Sequence, residues 1–232
     1  MWVADYLLQA DPPAGPDQTE MLEAYTTLGF LAAPTQRVRL GIGAGYHGEE
    51  AQALDLPLPP VAERFERLEE TLQIAIRMWA GHETPFEAKH YRLQHPVGSP
   101  GPARRPHPPF LIGGTGQRRT LRLVARYADA CNLFDIPDGG RAVKHKLAVL
   151  ADHCEAVGRP YEPIEKTLGT RLEAGESSDD FARRAVAAAE LGIQHLGMIT
   201  AGAWRPQALA TLAAAIPQLR ELRPRQTRPT TP

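Results

Sequence analysis

The feature that most constrains the fold is a regular alternation of short apolar runs with longer amphipathic segments. The apolar runs predict strands at residues 2–5, 38–44, 110–113, 130–134, 164–172 and 195–199, and the amphipathic segments predict helices at 21–33, 61–79, 118–128, 141–157, 178–191 and 205–222. Strands that alternate with helices of about ten or more residues indicate parallel β-α units. The handedness of such units leaves a barrel or a doubly wound sheet. A closed barrel of this type needs about eight strands, and the pattern supplies about six.

No feature of the sequence divides the chain into separate domains. The 232 residues contain no low-complexity linker, and the 22 prolines cluster in loops between the predicted elements. The last ten residues are polar and rich in proline. We therefore predict one domain over residues 1–222 and a disordered tail over 223–232.

Composition and charge exclude several classes of partner. The formal net charge of −1 gives no electrostatic reason to expect nucleic acid or an acidic membrane. No apolar run approaches the roughly 20 residues that cross a bilayer. The start of the chain contains Asp5 and lacks a basic residue, which is not typical of a signal peptide. Cys131 and Cys154 are far apart in the sequence, so we predict no disulfide framework and expect a cytoplasmic protein.

The most informative local motif is Gly113-Gly114-Thr115-Gly116, which lies between a predicted strand and a predicted helix. Glycines let backbone N–H groups approach a ligand, and a helix start carries partial positive charge, so free N–H groups there favour a phosphate. Arg118 and Arg119 add positive charge. The alternative is a tight turn with two solvated arginines. The spacing is not that of a dinucleotide fingerprint.

Two further segments end predicted strands and so point to the same mouth of a parallel fold. One is the glycine-rich run 41–45, which includes Ala44 and Gly45. The alternative interpretation of this run is a loop that carries charged residues and binds no ligand. The other is Asp5-Tyr6, whose carboxylate or phenol could orient a ring, although Asp5 could equally cap a loop. No histidine, cysteine or carboxylate spacing indicates a metal site.

The predicted helix 61–79 carries charged pairs at a spacing of four residues. Glu63 and Arg67 are predicted to form a favourable surface pair, and Glu66 and Glu70 a mildly unfavourable one.

Several segments, in this order along nearly the whole chain, together resemble the luciferase-like monooxygenase superfamily and in particular its coenzyme F420 branch. They are Trp2 to Asp5, Leu22 to Gly29, Arg37 to Gly41, Gly41 to Tyr46, Glu63 to Glu70, Arg105 to Gly116 and Arg126 to Asn132.

The resemblance implies a TIM-like barrel of the bacterial luciferase type that binds its cofactor at the carboxyl ends of the strands. It implies that Gly113, Gly114, Thr115 and Gly116 hold the cofactor phosphate. It further implies that Ala44 and Gly45 touch the ring system and that Asp5 lies beside the ring. Tyr6 stands where deazaflavin members often have histidine, and a phenol can also donate a proton.

The sequence departs from the family pattern in two places. Family members normally begin with another strand and helix before the match to Trp2, and they carry a full strand-helix unit between the matches to Leu40-Gly41 and Ile42-Gly43. We therefore expect an incomplete barrel whose phosphate end is present and whose ring end is reduced. The exposed strand edges would be covered by a rearranged segment, by a second copy in a homodimer, or by nothing.

These expectations lead to three functional hypotheses. The first is an oxidoreductase that moves a hydride between coenzyme F420 and a small organic substrate, with the cofactor supplying the chemistry. The second is an FMN-dependent monooxygenase of the same superfamily. The third is a partial barrel without catalytic activity. The substrate is not readable, because the loops that select it vary among such barrels.

Overall fold

The computed structural model describes residues 39–99, 101–102, 104–200 and 204–224. The predicted strand 2–5, the predicted helix 21–33, the candidates Asp5 and Tyr6, and the tail from residue 225 lie outside the described residues. The described chain divides into two compact units, residues 39–111 (unit 1) and residues 112–224 (unit 2).

The observed elements follow the predicted alternation. The strands are β1 (Leu40–Ile42), β2 (Phe86–Glu87), β3 (Arg92–Leu93), β4 (Phe110–Gly113), β5 (Ala130–Phe134), β6 (Glu165–Arg171) and β7 (His195–Ile199). The helices are α1 (Gly48–Ala53), α2 (Val61–Trp79), α3 (Thr120–Tyr127), α4 (Arg141–Ala156), α5 (Ser178–Glu190) and α6 (Pro206–Arg220). The residues of β4 are shared between the two units.

Three details differ from the sequence prediction. The strand predicted over 38–44 is only three residues long, and the six-residue α1 was not predicted because it buries no residue and so has no apolar face. Helix α3 begins two residues later than expected, after a turn. Helix α5 is capped by Ser177, whose Oγ accepts the Asp180 N–H at 3.2 Å.

Unit 1 is organised around α2. Its apolar face buries Leu68 and Leu72. At its end, the Trp79 ring stacks on the rings of His107 and Phe110, with centroids 5.8 and 5.2 Å away. The Leu40 N–H donates to the Pro109 carbonyl at 3.0 Å, which sets β1 beside the approach to β4.

One side-chain prediction on α2 is wrong. Glu66 and Glu70 were expected to form a like-charged surface pair, but Glu70 is only 8% exposed. Its carboxylate accepts the backbone N–H groups of Lys89, His90 and Tyr91, the turn between β2 and β3, at 3.0 to 3.1 Å. Glu66 instead accepts from the side chains of Lys89 and His90 at 2.7 Å. The two carboxylates therefore hold a hairpin rather than repel each other in solvent.

Unit 2 contains the parallel sheet. Its strands follow the order β4-β5-β6-β7, and β6 pairs in parallel with both β5 and β7. Helices α3, α4 and α5 bury apolar faces that include Leu121, Val124, Leu147 and Phe181. Parallel strands end at the same edge of a sheet, so Phe134, Arg171 and Ile199 mark one rim. The parallel α/β class predicted from the sequence is confirmed.

No helix in the described ranges is long and apolar enough to cross a bilayer.

Candidate functional site

The motif Gly113-Gly114-Thr115-Gly116 lies at the carboxyl end of β4, as predicted from the sequence. Gly113 ends the strand, a turn covers residues 117–119, and α3 starts at Thr120. One expectation fails, because the Gly114 N–H is not free. It donates to the Asn132 carbonyl of β5 at 3.2 Å.

Two glycines of the motif have structural reasons to be glycine. Gly114 has φ of +122°, and a Cβ there would lie 3.3 Å from the Thr120 side chain. A Cβ on Gly116 would lie 2.9 Å from the Thr120 hydroxyl. Thr120 is buried, so it packs directly beneath the loop. The close approach of Thr120 therefore accounts for both glycines without any ligand.

Gly113 has no such structural reason. A Cβ built on it meets no atom within 4 Å, and its φ lies outside the left-handed region. A Cβ could be added at this position without strain in the described chain. The open space beside the Gly113 backbone is what a ligand that approaches the main chain would need.

The second predicted segment follows β1 in unit 1. Gly45 has φ of +69°, and its carbonyl accepts a hydrogen bond from the Arg64 guanidinium of α2. Tyr46 is 67% exposed immediately after it. Ala44 and Gly45 thus belong to a loop that is anchored to α2 by Arg64 and is followed by an exposed phenol.

A cavity of about 1010 Å³ opens in unit 2 at the carboxyl ends of β5, β6 and β7. Its wall includes Phe134, Leu168 and Ile199 from the strands and Val143 and Phe181 from the helices. Ligands of parallel β/α folds bind at this edge of the sheet. Pockets that take small molecules have volumes of roughly 300–1,000 Å³, so the cavity can hold an organic ligand.

Arg184 of α5 forms hydrogen bonds with the polar groups at one end of this cavity. Its Nε and Nη2 donate to the two Glu176 carboxylate oxygens at 3.0 and 2.8 Å. Its Nη1 donates to Asp135 at 3.1 Å and to the Thr170 hydroxyl at 2.6 Å, and Nη2 also donates to the Arg171 carbonyl at 2.7 Å. The guanidinium thereby joins the ends of β5 and β6 to the start of α5.

Burial alone would raise the pKa of Glu176, whose side chain is 6% exposed. Hydrogen bonds from Arg184 and from the Glu173 N–H outweigh that effect and lower the Glu176 pKa below its ordinary value. Glu176 hydrogen bonds in turn raise the pKa of Arg184. The polar end of the cavity therefore keeps its charges paired at neutral pH.

Sequence reasoning missed this group of residues. Asp135 directly follows a predicted strand, which was a usable signal, but Thr170, Glu176 and Arg184 lie on separate elements without a motif. In the described ranges, no group of histidine, cysteine or acidic residues is arranged to hold a metal. Cys131 and Cys154 are buried thiols that form no disulfide, and burial raises the pKa of Cys131 to about 12.

Comparison with known proteins gives consistent results. A family model described as luciferase-like monooxygenase matches residues 19–230. A protein named F420-dependent glucose-6-phosphate dehydrogenase from Nakamurella multipartita is 31% identical over 168 residues, which cover 71% of this chain and 45% of that protein. A protein of the same name from Kineococcus radiotolerans is 30% identical over 159 residues, which cover 66% of this chain and 44% of that protein. The chain thus spans less than half the length of these curated relatives.

Solved structures share the fold. An F420-dependent secondary alcohol dehydrogenase, solved in complex with an F420-acetone adduct, superposes with a TM-score of 0.74 at 12% identity, over 90% of this chain and 88% of that one. A monooxygenase from Streptomyces bottropensis superposes with a TM-score of 0.57 at 19% identity, over 82% and 71%. These likenesses confirm the luciferase-type α/β fold predicted from the sequence. Since the family model covers most of its length, the chain belongs to the luciferase-like monooxygenase family.

Proposed function

We propose that this chain binds coenzyme F420 and serves hydride transfer between that cofactor and a small organic substrate. The deazaflavin, when bound, supplies the hydride chemistry, and the protein supplies binding and orientation. The names of the curated relatives from Nakamurella and Kineococcus support this cofactor.

The observation that carries the proposal is the open space beside Gly113 at the end of β4. Thr120 explains why Gly114 and Gly116 are glycines, but nothing in the described chain requires a glycine at 113. Phosphate groups favour exposed backbone at the start of a helix, and this loop leads into α3. Gly113 and Thr115 would hold the cofactor phosphate, with Gly114 and Gly116 giving the loop its shape.

The remaining predicted residues take roles at the ring end of the cofactor. Ala44 and Gly45 would lie against the ring system, with the turn held by the hydrogen bond from Arg64. Asp5 would orient the ring, and Tyr6 would donate a proton through its phenol. These roles remain predictions, because Asp5 and Tyr6 lie outside the described residues.

An FMN-dependent monooxygenase is the second candidate, because the family match does not distinguish the two flavin types. Both cofactors carry a phosphate and a related tricyclic ring. Titration of the purified chain with each cofactor, followed by fluorescence, separates them. If the chain binds neither cofactor, that result favours the third hypothesis, a partial barrel without catalytic activity.

Substitution Gly113→Ala tests the phosphate role. We expect it to weaken coenzyme F420 binding by roughly tenfold, since the methyl group fills space that the phosphate needs. Thermal unfolding should change little, because the added Cβ meets no protein atom. Gly101→Ala is the matched control, as it adds a methyl group to an equally open loop position. Equal cofactor affinity of Gly113→Ala and the parent chain would show that the loop is only a turn.

A further inference from the structure

The lining of the cavity in unit 2 indicates what kind of molecule it takes. The buried part of the wall is apolar, since Val143, Leu168, Phe181 and Ala185 are each 2–4% exposed. Ala188, Leu191 and Leu196 extend the apolar wall toward solvent and are only half-buried. Apolar surface that stays half-exposed inside a cavity of about 1010 Å³ gains most from an apolar ligand.

The polar groups inside the cavity are already paired with one another. Arg184 directs its guanidinium N–H groups at Glu176, Asp135, the Thr170 hydroxyl and a backbone carbonyl. The Thr170 hydroxyl donates to Asp135 at 2.7 Å. An incoming anion would have to displace bonds between charged groups, which are among the strongest that the protein makes.

The charges at the exposed rim balance. Lys144 and Arg171 contribute two cations, and Glu173 and Glu190 contribute two anions. A phosphorylated sugar needs an excess of cationic donors for its phosphate and further partners for its hydroxyl groups, because each polar group buried without a partner costs roughly 1–3 kcal/mol. The residues that line the cavity offer neither the excess charge nor an unpaired buried side-chain donor.

We propose that the substrate bound in this cavity is a neutral, mainly apolar organic molecule and not a phosphorylated sugar. This inference rests on the proposed function and names its substrate class. It separates the chain from the relatives whose names specify glucose 6-phosphate. The molecule lies against Leu168 and Phe181, with its polar end at the rim.

Calorimetric titration of the full chain with 2-octanol and with glucose 6-phosphate tests the proposal. We expect 2-octanol to bind and glucose 6-phosphate not to bind. Ala188→Phe, which fills the cavity, should weaken 2-octanol binding by about tenfold. Ala213→Phe, on an exposed position of α6 outside the cavity, should change that affinity by less than about twofold.

Binding of glucose 6-phosphate without binding of 2-octanol overturns the inference, as does an Ala188→Phe variant that folds and binds 2-octanol like the parent chain. If Ala188→Phe does not fold, the dye Nile red is bound to the unmodified chain and each compound is added in turn. Displacement of the dye by 2-octanol but not by glucose 6-phosphate supports the inference, and the reverse overturns it. A separate titration with coenzyme F420 distinguishes the two proposals. If the chain binds coenzyme F420 but not 2-octanol, the proposed substrate class is wrong and the proposed function stands. If the chain binds 2-octanol but neither coenzyme F420 nor FMN, the proposed function is wrong and the substrate class stands.

Discussion

Arg184 shows how much one side chain can fix at the residue scale. Its guanidinium holds the ends of two strands and the loop before α5, and two of its partners are carboxylates with limited access to water. Removing the cation would leave Glu176, which is 6% exposed, without its main partner. An uncompensated carboxylate in such a place is strongly destabilising.

We therefore expect Arg184→Met to lower the free energy of unfolding by roughly 2–3 kcal/mol at neutral pH. The folded-state pKa of Glu176 is lowered, so its contribution to stability is present above the ordinary glutamate pKa and is lost as pH falls through the folded value. The difference between parent and variant should shrink in acid below about pH 4. Urea unfolding at several pH values measures it.

The control for this experiment is Arg183→Met. Arg183 pairs with Asp180 on the exposed side of α5, where screening by solvent leaves surface ion pairs little to contribute. A stability difference between Arg184→Met and the parent that does not vary with pH would contradict the role given to Glu176.

At the scale of elements, the hairpin β2–β3 depends on one buried carboxylate. Glu70 of α2 accepts three backbone N–H groups from the hairpin turn, about 20 residues later in the chain. Glu70→Ala should cost about 2–3 kcal/mol, because those donors lose a charged acceptor. Hydrogen exchange at Lys89, His90 and Tyr91 should accelerate in the variant.

Glu66→Ala provides the comparison, one helical turn earlier. It removes contacts only to the side chains of Lys89 and His90 and should leave backbone exchange in the turn nearly unchanged. If both variants exchange alike, the buried bonds of Glu70 do not hold the hairpin.

The elements themselves were largely predictable, and their side-chain contacts were not. Apolar periodicity identified β4 to β7 and α2 to α6, because each buries a face whose spacing is visible in the sequence. Helix α1 has no buried face and so left no pattern. The burial of Glu70 and the bonds of Arg184 depend on distant partners, which no local spacing encodes.

At the scale of the whole molecule, the departure from the family pattern at residues 40–42 bears on cofactor binding. The chain spans less than half of the curated relatives, and the sequence predicts that the ring end of the site is reduced. Half-buried Ile42 in β1, beside the junction, contrasts with fully buried Ile112 in β4. A single domain over residues 1–222 and a homodimer both stay predictions.

We accordingly expect the chain to bind coenzyme F420 at least about tenfold more weakly than the full-length Nakamurella relative does. Parallel fluorescence titrations of the two proteins under the same buffer conditions measure the ratio. Equal affinities would contradict the reduced ring end predicted from the junction at residues 40–42.

The aromatic stack at the end of α2 gives the molecule an internal optical probe. The Trp79 ring contacts the rings of His107 and Phe110, and all three residues belong to unit 1. The emission of Trp79 depends on that stacking, so it changes when unit 1 opens, whereas circular dichroism follows the helices of both units. With Trp2 and Trp204 replaced by phenylalanine, the two signals would reveal whether the units lose structure in one cooperative transition or in succession.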